Sequence, residues 1–169
     1  MQLLGLIVLG LAALVLEATL LPVFKLAGIK PDLQIIFLSI YALLRGKSQG
    51  AGLGFIYGLL EDVYLGRYIG LNAVSKMIVG YFTGFSKNRL NEKNWLVPGL
   101  LAFGATIGQG LLVLLLGRII GFNYPWRAGL LTIILPMSLY NGGLAVLVYG
   151  FYQGGITWVN RRKKVGSQS

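Results

Sequence analysis

Residues 50–84 read GAGLGFIYGLLEDVYLGRYIGLNAVSKMIVGYFTG. Small residues recur at every fourth position, Gly46, Gly50, Gly54 and Gly58, and the same register runs on to Asp62 and Gly66. Four residues is close to one helical turn, so these positions share a face. Glycines at that spacing let a second backbone approach closely, the GxxxG pattern of membrane helices. The second half of the stretch has its own ridge, Asn72, Lys76, Gly80 and Gly84. The two halves predict an antiparallel helix pair packed through Gly50, Gly54, Gly58, Gly80 and Gly84. Glu61, Asp62 and Lys76 are set into this oily pair and need a reason to be there.

The rest of the chain is as apolar. Of 169 residues, 56% are hydrophobic and 12% charged, against roughly 25% charged in an ordinary soluble domain. There are 25 glycines, and glycine is more frequent in membrane helices than in soluble ones. Long apolar runs recur from Leu3 to Tyr152. The expectation is one all-α polytopic membrane domain over residues 1–160, followed by a short basic tail, 161–169. The net charge of +10 is no nucleic-acid footprint, because its largest cluster is Arg161-Arg162-Lys163-Lys164, directly after an apolar helix. That cluster reads as a topology signal or as an anchor for anionic lipid headgroups. With no Cys and no His, disulfides, thiolate chemistry and the usual zinc sites are excluded. The first segment has no positive n-region and runs too long for a signal-peptide core, so it is expected to stay as a first span.

Six spans are expected, at about 3–24, 32–45, 50–66, 70–86, 96–117 and 128–153. Span 2 is short: its length makes about 21 Å of helix against a core of roughly 30 Å. It is either untilted, sheltered by protein, or longer than its boundaries suggest. Six crossings put Arg45, Lys47, Lys87, Arg89, Lys93 and the four tail residues on one side, nine in all. The other side holds Lys25, Lys30, Arg67, Arg118 and Arg127, five in all. The positive-inside rule then places both termini in the cytoplasm. Trp95, Tyr124, Trp126 and Trp158 near span ends read as interfacial anchors.

Depth sharpens the reading of the charges. At 1.5 Å per residue, Asp62 lies about 6 Å below the end of span 3 and Lys76 about 9 Å below the start of span 4. Matched depths make an Asp62–Lys76 pair feasible. Glu17 falls near the outer end of span 1, Gln109 in the outer half of span 5, and Asn72 on the ridge of span 4. Asn141 lies near the midplane, just after the kink expected at Pro136. Charge within the hydrocarbon costs about 2.5–3.5 kcal/mol per residue on insertion scales, so such groups pair or line a cavity. Glu17, Glu61, Asp62, Asn72, Lys76, Gln109 and Asn141 form the candidate polar cluster. It has three readings: an outward-opening ligand or ion site, a structural ion pair fixing helix register, or snorkelling at the interface. Asp32, after Pro31, reads as the N-cap of span 2.

Catalysis is not expected. Metalloprotease and Ser–His chemistry both need histidine. Glu61 and Asp62 are adjacent and diverge by about 100° on a helix, so they cannot share a proton as a dyad does. No phosphate-binding loop is present, and no cofactor or metal is expected.

The stretch GAGLGFIYGLLEDVYLGRYIGLNA followed by VGYFTG resembles the core of the rod shape-determining MreD family. There a glycine-rich third span ends in an acid and a GLNA-like segment opens the next. KPDLQIIFLSIYALLRGK at 30–47 and LPMSLYNGGLAVLVY at 135–149 resemble the family's second and last spans. Both Glu61 and Asp62 stand where the family has mainly one acid. The resemblance implies a non-enzymatic scaffold of the bacterial cell-elongation machinery in the inner membrane. It implies a single-span MreC-like partner and, through it, the MreB filament, RodA and its transpeptidase. It also implies a fold similar to the substrate-capture (S) components of energy-coupling-factor transporters, and thus a small-molecule capture role as the alternative function.

Overall fold

The computed structural model describes residues 2–19, 29–66, 68–90, 94–121 and 125–165, of which 2–3 and 156–165 are described by their backbone alone. Pro22, Lys25, Arg67, Lys93 and Tyr124 lie outside the described residues, as do the side chains of Trp158 and the Arg161–Lys164 cluster. Six helices follow one another: α1 (Gln2–Thr19), α2 (Leu33–Arg45), α3 (Lys47–Leu65), α4 (Leu71–Gly84), α5 (Leu96–Ile119) and α6. The last is built from Trp126–Ala128, a π-helical stretch Gly129–Ile134, and Leu135–Val165.

Local chemistry sets most of these boundaries. The Asp32 side chain accepts from the Ile35 N–H and caps α2, the role expected for it. One residue, Gly46 at φ 97°, separates α2 from α3. The α3–α4 turn needs left-handed backbone twice, at Gly66 (φ 63°) and Gly70 (φ 108°), where a Cβ would be strained. Where a kink is expected at Pro136, the helix is π-helical over Gly129–Ile134, just before it. Pro136 has no N–H, and its ring would crowd the carbonyl four residues back; a widened helix relieves both. The helix of α6 also runs to Val165, well past the expected end at 153, so the basic cluster continues a helix.

Helices α3 and α4 make the most extensive contact in the molecule. A methyl group at Gly54 would overlap the Lys76 carbonyl, and one at Gly58 the Asn72 carbonyl. Gly50 and Gly80 meet backbone to backbone, and Gly84 lies on the backbone of Lys47. Each step of four along α3 is a step of four back along α4. The ridge is therefore spent inside the chain, with no room left for a partner's helix.

The short second helix is the hub. Ile35, Ile36, Leu38, Ala42 and Leu43 are fully buried, and α2 touches every other helix. It anchors three apolar clusters: Ile35 with Val79 and Ala105, Ile36 with Ala102 and Ala145, and Leu38 with Leu53 and Tyr57. Of the alternatives for its length, shelter by protein is the one observed. Around this centre the usual pattern is inverted. Asp62, Lys76, Ser75, Thr106, Ser138 and Asn141 are buried, while Val8, Val63, Phe82, Leu100, Leu139 and Phe151 are more than half exposed. Soluble folds rarely show both. Leu96–Ile119 and Trp126–Gly155 are long and apolar enough to cross a membrane, and mostly exposed on the protein surface.

The packing predicts a sharp contrast. Gly54→Leu forces a side chain into the α4 backbone and should cost at least about 3 kcal/mol, the upper range for overpacking. Gly5→Leu enters open space and should leave thermal unfolding in detergent unchanged. Equal melting of the two variants would contradict the zipper.

Candidate functional site

The site is assembled from helix ends. The N-termini of α2 and α4 expose backbone N–H groups that need acceptors, and an acid from a neighbouring helix serves each. Glu17 of α1 accepts through Oε1 from the Leu33 N–H (2.6 Å) and the Gln34 N–H (3.2 Å). Asp62 of α3 serves α4. Its Oδ2 accepts from the Gly70 and Ala73 N–H groups at 2.8 and 3.1 Å. Its Oδ1 accepts from the Asn72 N–H at 3.1 Å and from Asn72 Nδ2 at 3.0 Å. The left-handed Gly70 folds the turn so that these donors converge.

Asp62 is thus fully engaged as a cap and is not the partner of Lys76, contrary to the depth-matched pairing. Glu61, one position round the helix, takes that place. Lys76 has no exposed surface, and its Nζ lies 2.8 Å from Glu61 Oε2 and 3.4 Å from Asp32 Oδ2. It donates to Gln34 Oε1 at 2.7 Å. Its ammonium is therefore held by one hydrogen bond and two ion pairs. Glu61 Oε2 makes no aligned hydrogen bond, so the contact with Lys76 is chiefly between charges. At 2.8 Å that attraction is strong without alignment, because a Coulomb interaction needs no angle.

Asn141 sits on a second branch. Its Oδ1 accepts the Asp32 N–H at 2.9 Å, and its Nδ2 donates to Thr106 Oγ1 at 3.0 Å. The network reaches α1 again through Gln34 Nε2, which donates to the Gly10 carbonyl at 3.3 Å.

Above the network lies a cavity of about 910 Å³. Glu17, Glu61, Asp62, Asn72 and Gln109 line it, as does Asp32. The chain has five acids, and four of them, Glu17, Asp32, Glu61 and Asp62, meet here. Of the candidate cluster, Lys76 is fully buried and Asn141 is engaged through Asp32; neither lines the cavity. Sequence reasoning passed over Gln34 and the second role of Asp32. Gln34 had a usable signal, a lone amide inside LQIIFLSIYALLR, where a polar group in an apolar helix needs a partner. It also passed over Lys30 and Arg118 as cavity residues. At the far end of α2 the basic residues gather instead: Lys87 donates to the Arg45 carbonyl at 3.1 Å, and Lys47 and Arg89 lie 5.0 and 5.7 Å from the Phe85 ring centre.

A family model described as rod shape-determining protein MreD matches residues 1–153. The chain belongs to that family, a membrane protein family involved in determining rod shape. No curated protein and no solved structure matches the chain.

The cap role of Asp62 is testable. Asp62→Asn turns one accepting oxygen into a donor facing N–H groups and should cost about 1–3 kcal/mol. Thermal unfolding of the purified protein in detergent checks it. A wild-type midpoint would show that the α4 N-terminus does not need the carboxylate.

Proposed function

We propose that this protein is a non-catalytic scaffold of the cell-elongation machinery in the cytoplasmic membrane. Its six helices cross as one bundle with both termini in the cytoplasm. The basic end at Arg45, Lys47, Lys87 and Arg89, with the Arg161–Lys164 cluster against anionic lipid, faces the filament side. The partner is a single-span, MreC-like protein, which links the chain to the MreB filament, to RodA and its transpeptidase, and so to peptidoglycan synthesis. Family membership supports the process. The site chemistry fits a non-catalytic role, since Asp62 is committed to the α4 N-terminus and Lys76 to Glu61, Asp32 and Gln34.

The observation that carries the partner reading is a groove of about 460 Å³ between α4 and α5. Gly104 and Gly108 form a GxxxG step on its floor, and Phe82, Leu100 and Leu111 stand along it. A Cβ at Gly104 would meet nothing within 4 Å, and one at Gly108 would make only ordinary contact with Val79 Cγ2 at 3.6 Å. Here, unlike at Gly54, the chain leaves a small-residue step unfilled on an apolar outer face. Such a step suits the ridge of one more helix, because helices in lipid associate through close van der Waals packing.

A second reading, a substrate-capture component of a small-molecule transporter, has the cavity of about 910 Å³ in its favour. Affinity purification from the native host separates the two. The scaffold reading predicts recovery of a single-span protein with a large extracytoplasmic domain. It also predicts that Gly104→Leu with Gly108→Leu reduces this recovery by at least about tenfold while melting stays unchanged. Recovery of paired ATPases with a coupling membrane subunit, or full partner recovery by the double variant, would contradict it.

A further inference from the structure

We infer that the outer cavity binds a zwitterionic headgroup, its primary ammonium on the carboxylate floor and its anionic group between Lys30 and Arg118 at the rim. The inference goes beyond the scaffold reading and does not depend on the α4–α5 groove.

The floor comes first. Gln109 is 7% exposed and lines the cavity, yet its Oε1 has no hydrogen-bond partner. A buried acceptor left open is costly, and most such atoms in folded proteins are satisfied. Glu17 uses Oε1 on the α2 N-terminus, and no described residue hydrogen-bonds its Oε2. Glu61 Oε2 meets Lys76 without hydrogen-bond alignment. The unspent capacity of the floor carboxylates and of Gln109 Oε1 is acceptor capacity. Asp32 and Glu61 share the single ammonium of Lys76, and Glu17 has no ion pair among the described residues. A ligand seated here has to donate hydrogen bonds, and a positive charge is favoured over a neutral donor. A primary ammonium supplies both, with three N–H donors on one small group.

The rim has the opposite sign. Lys30 and Arg118 line the same cavity and are exposed. Neither is ion-paired among the described residues. A phosphate or carboxylate on the same ligand would find them there, with Arg118 able to offer two parallel N–H groups. The walls between floor and rim include Leu114, Ile133, Met137 and the ring of Trp126, which suits a hydrocarbon portion. The volume lies within the range of about 300–1,000 Å³ usual for ligand sites. The shared chemistry is an ammonium and an anion a few bonds apart. It could be supplied by an ethanolamine phospholipid or by a free solute of the same headgroup.

Native mass spectrometry of the full chain in detergent tests this. The probes are phosphatidylethanolamine, phosphatidylcholine, phosphatidylglycerol and soluble phosphoethanolamine, each added in titration. The expected result is one bound phosphatidylethanolamine, with phosphatidylcholine about tenfold weaker because its quaternary ammonium has no N–H to donate. Gln109→Leu and the pair Lys30→Ala with Arg118→Ala should each weaken binding about tenfold, with unfolding midpoints confirming intact folds. Binding of soluble phosphoethanolamine with the same dependence on these residues would support the site and name a free solute as its source. Equal affinity for all three lipids, no effect of the variants, or no saturable binding would overturn the inference. The same variants carried through the partner purification show whether the scaffold reading stands or falls separately.

Discussion

One ammonium group constrains the whole molecule. Lys76 is completely buried in a chain that is otherwise suited to lipid, and its charge has to be answered from nearby. The answer comes from three places: Glu61 on α3, and Asp32 and Gln34 at the start of α2. These groups in turn need the α2 N-terminus held, which Glu17 of α1 and Asn141 of α6 do. Asn141 is itself fixed to Thr106 of α5. A single connected path of polar contacts therefore passes through all six helices. Between lipid-facing helices, apolar burial does not distinguish one packing from another, because lipid tails are as apolar as leucine. Direct polar contacts and close backbone packing are left to specify the arrangement. This chain uses the first around the N-termini of α2 and α4 and the second along the α3–α4 zipper.

The two devices explain each other. Glycines at 54 and 58 bring α4 close enough for Asp62 to cap its backbone and for Glu61 to meet the Lys76 ammonium. Asp62, by capping α4, sets where that helix begins and so where Lys76 lies in depth. A buried ion pair is weak grounds for stability against an apolar replacement, yet breaking one by removing a single partner typically costs about 3–5 kcal/mol. The network is best understood as fixing which helices meet and in what register.

Much of this could be read from the residues, and the misses have physical causes. The glycine period of four, with few residues between the segments, was enough for an antiparallel pair, in which Gly50, Gly54 and Gly58 face the ridge of Gly80, Lys76 and Asn72. Depth arithmetic placed Asp62 and Lys76 at one level but ignored a competing demand. The free N–H groups at the start of α4 claim Asp62, so the lysine turns to Glu61. Asp32 could be read as a cap from Pro31-Asp32 alone, but its contact with Lys76 depends on how α2 lies against α4, which no local pattern carries. Gly104 and Gly108 were lost among 25 glycines, because spacing does not say whether a ridge is filled by its own chain. The outward position assigned to Glu17, Glu61, Asp62 and Gln109 came from span ends. Their meeting on one cavity, with Lys30 and Arg118 above, required the tertiary fold.

The central claim is that Lys76 and Glu61 act as one unit. The direct test is a double-mutant cycle with Lys76→Met, Glu61→Gln and the pair, measuring unfolding free energy of the full chain in detergent. The account predicts that the double variant is more stable than the summed single losses imply, by about 1 kcal/mol or more. Additivity within about 0.3 kcal/mol would show that the two groups do not sense each other, and the network would lose its keystone.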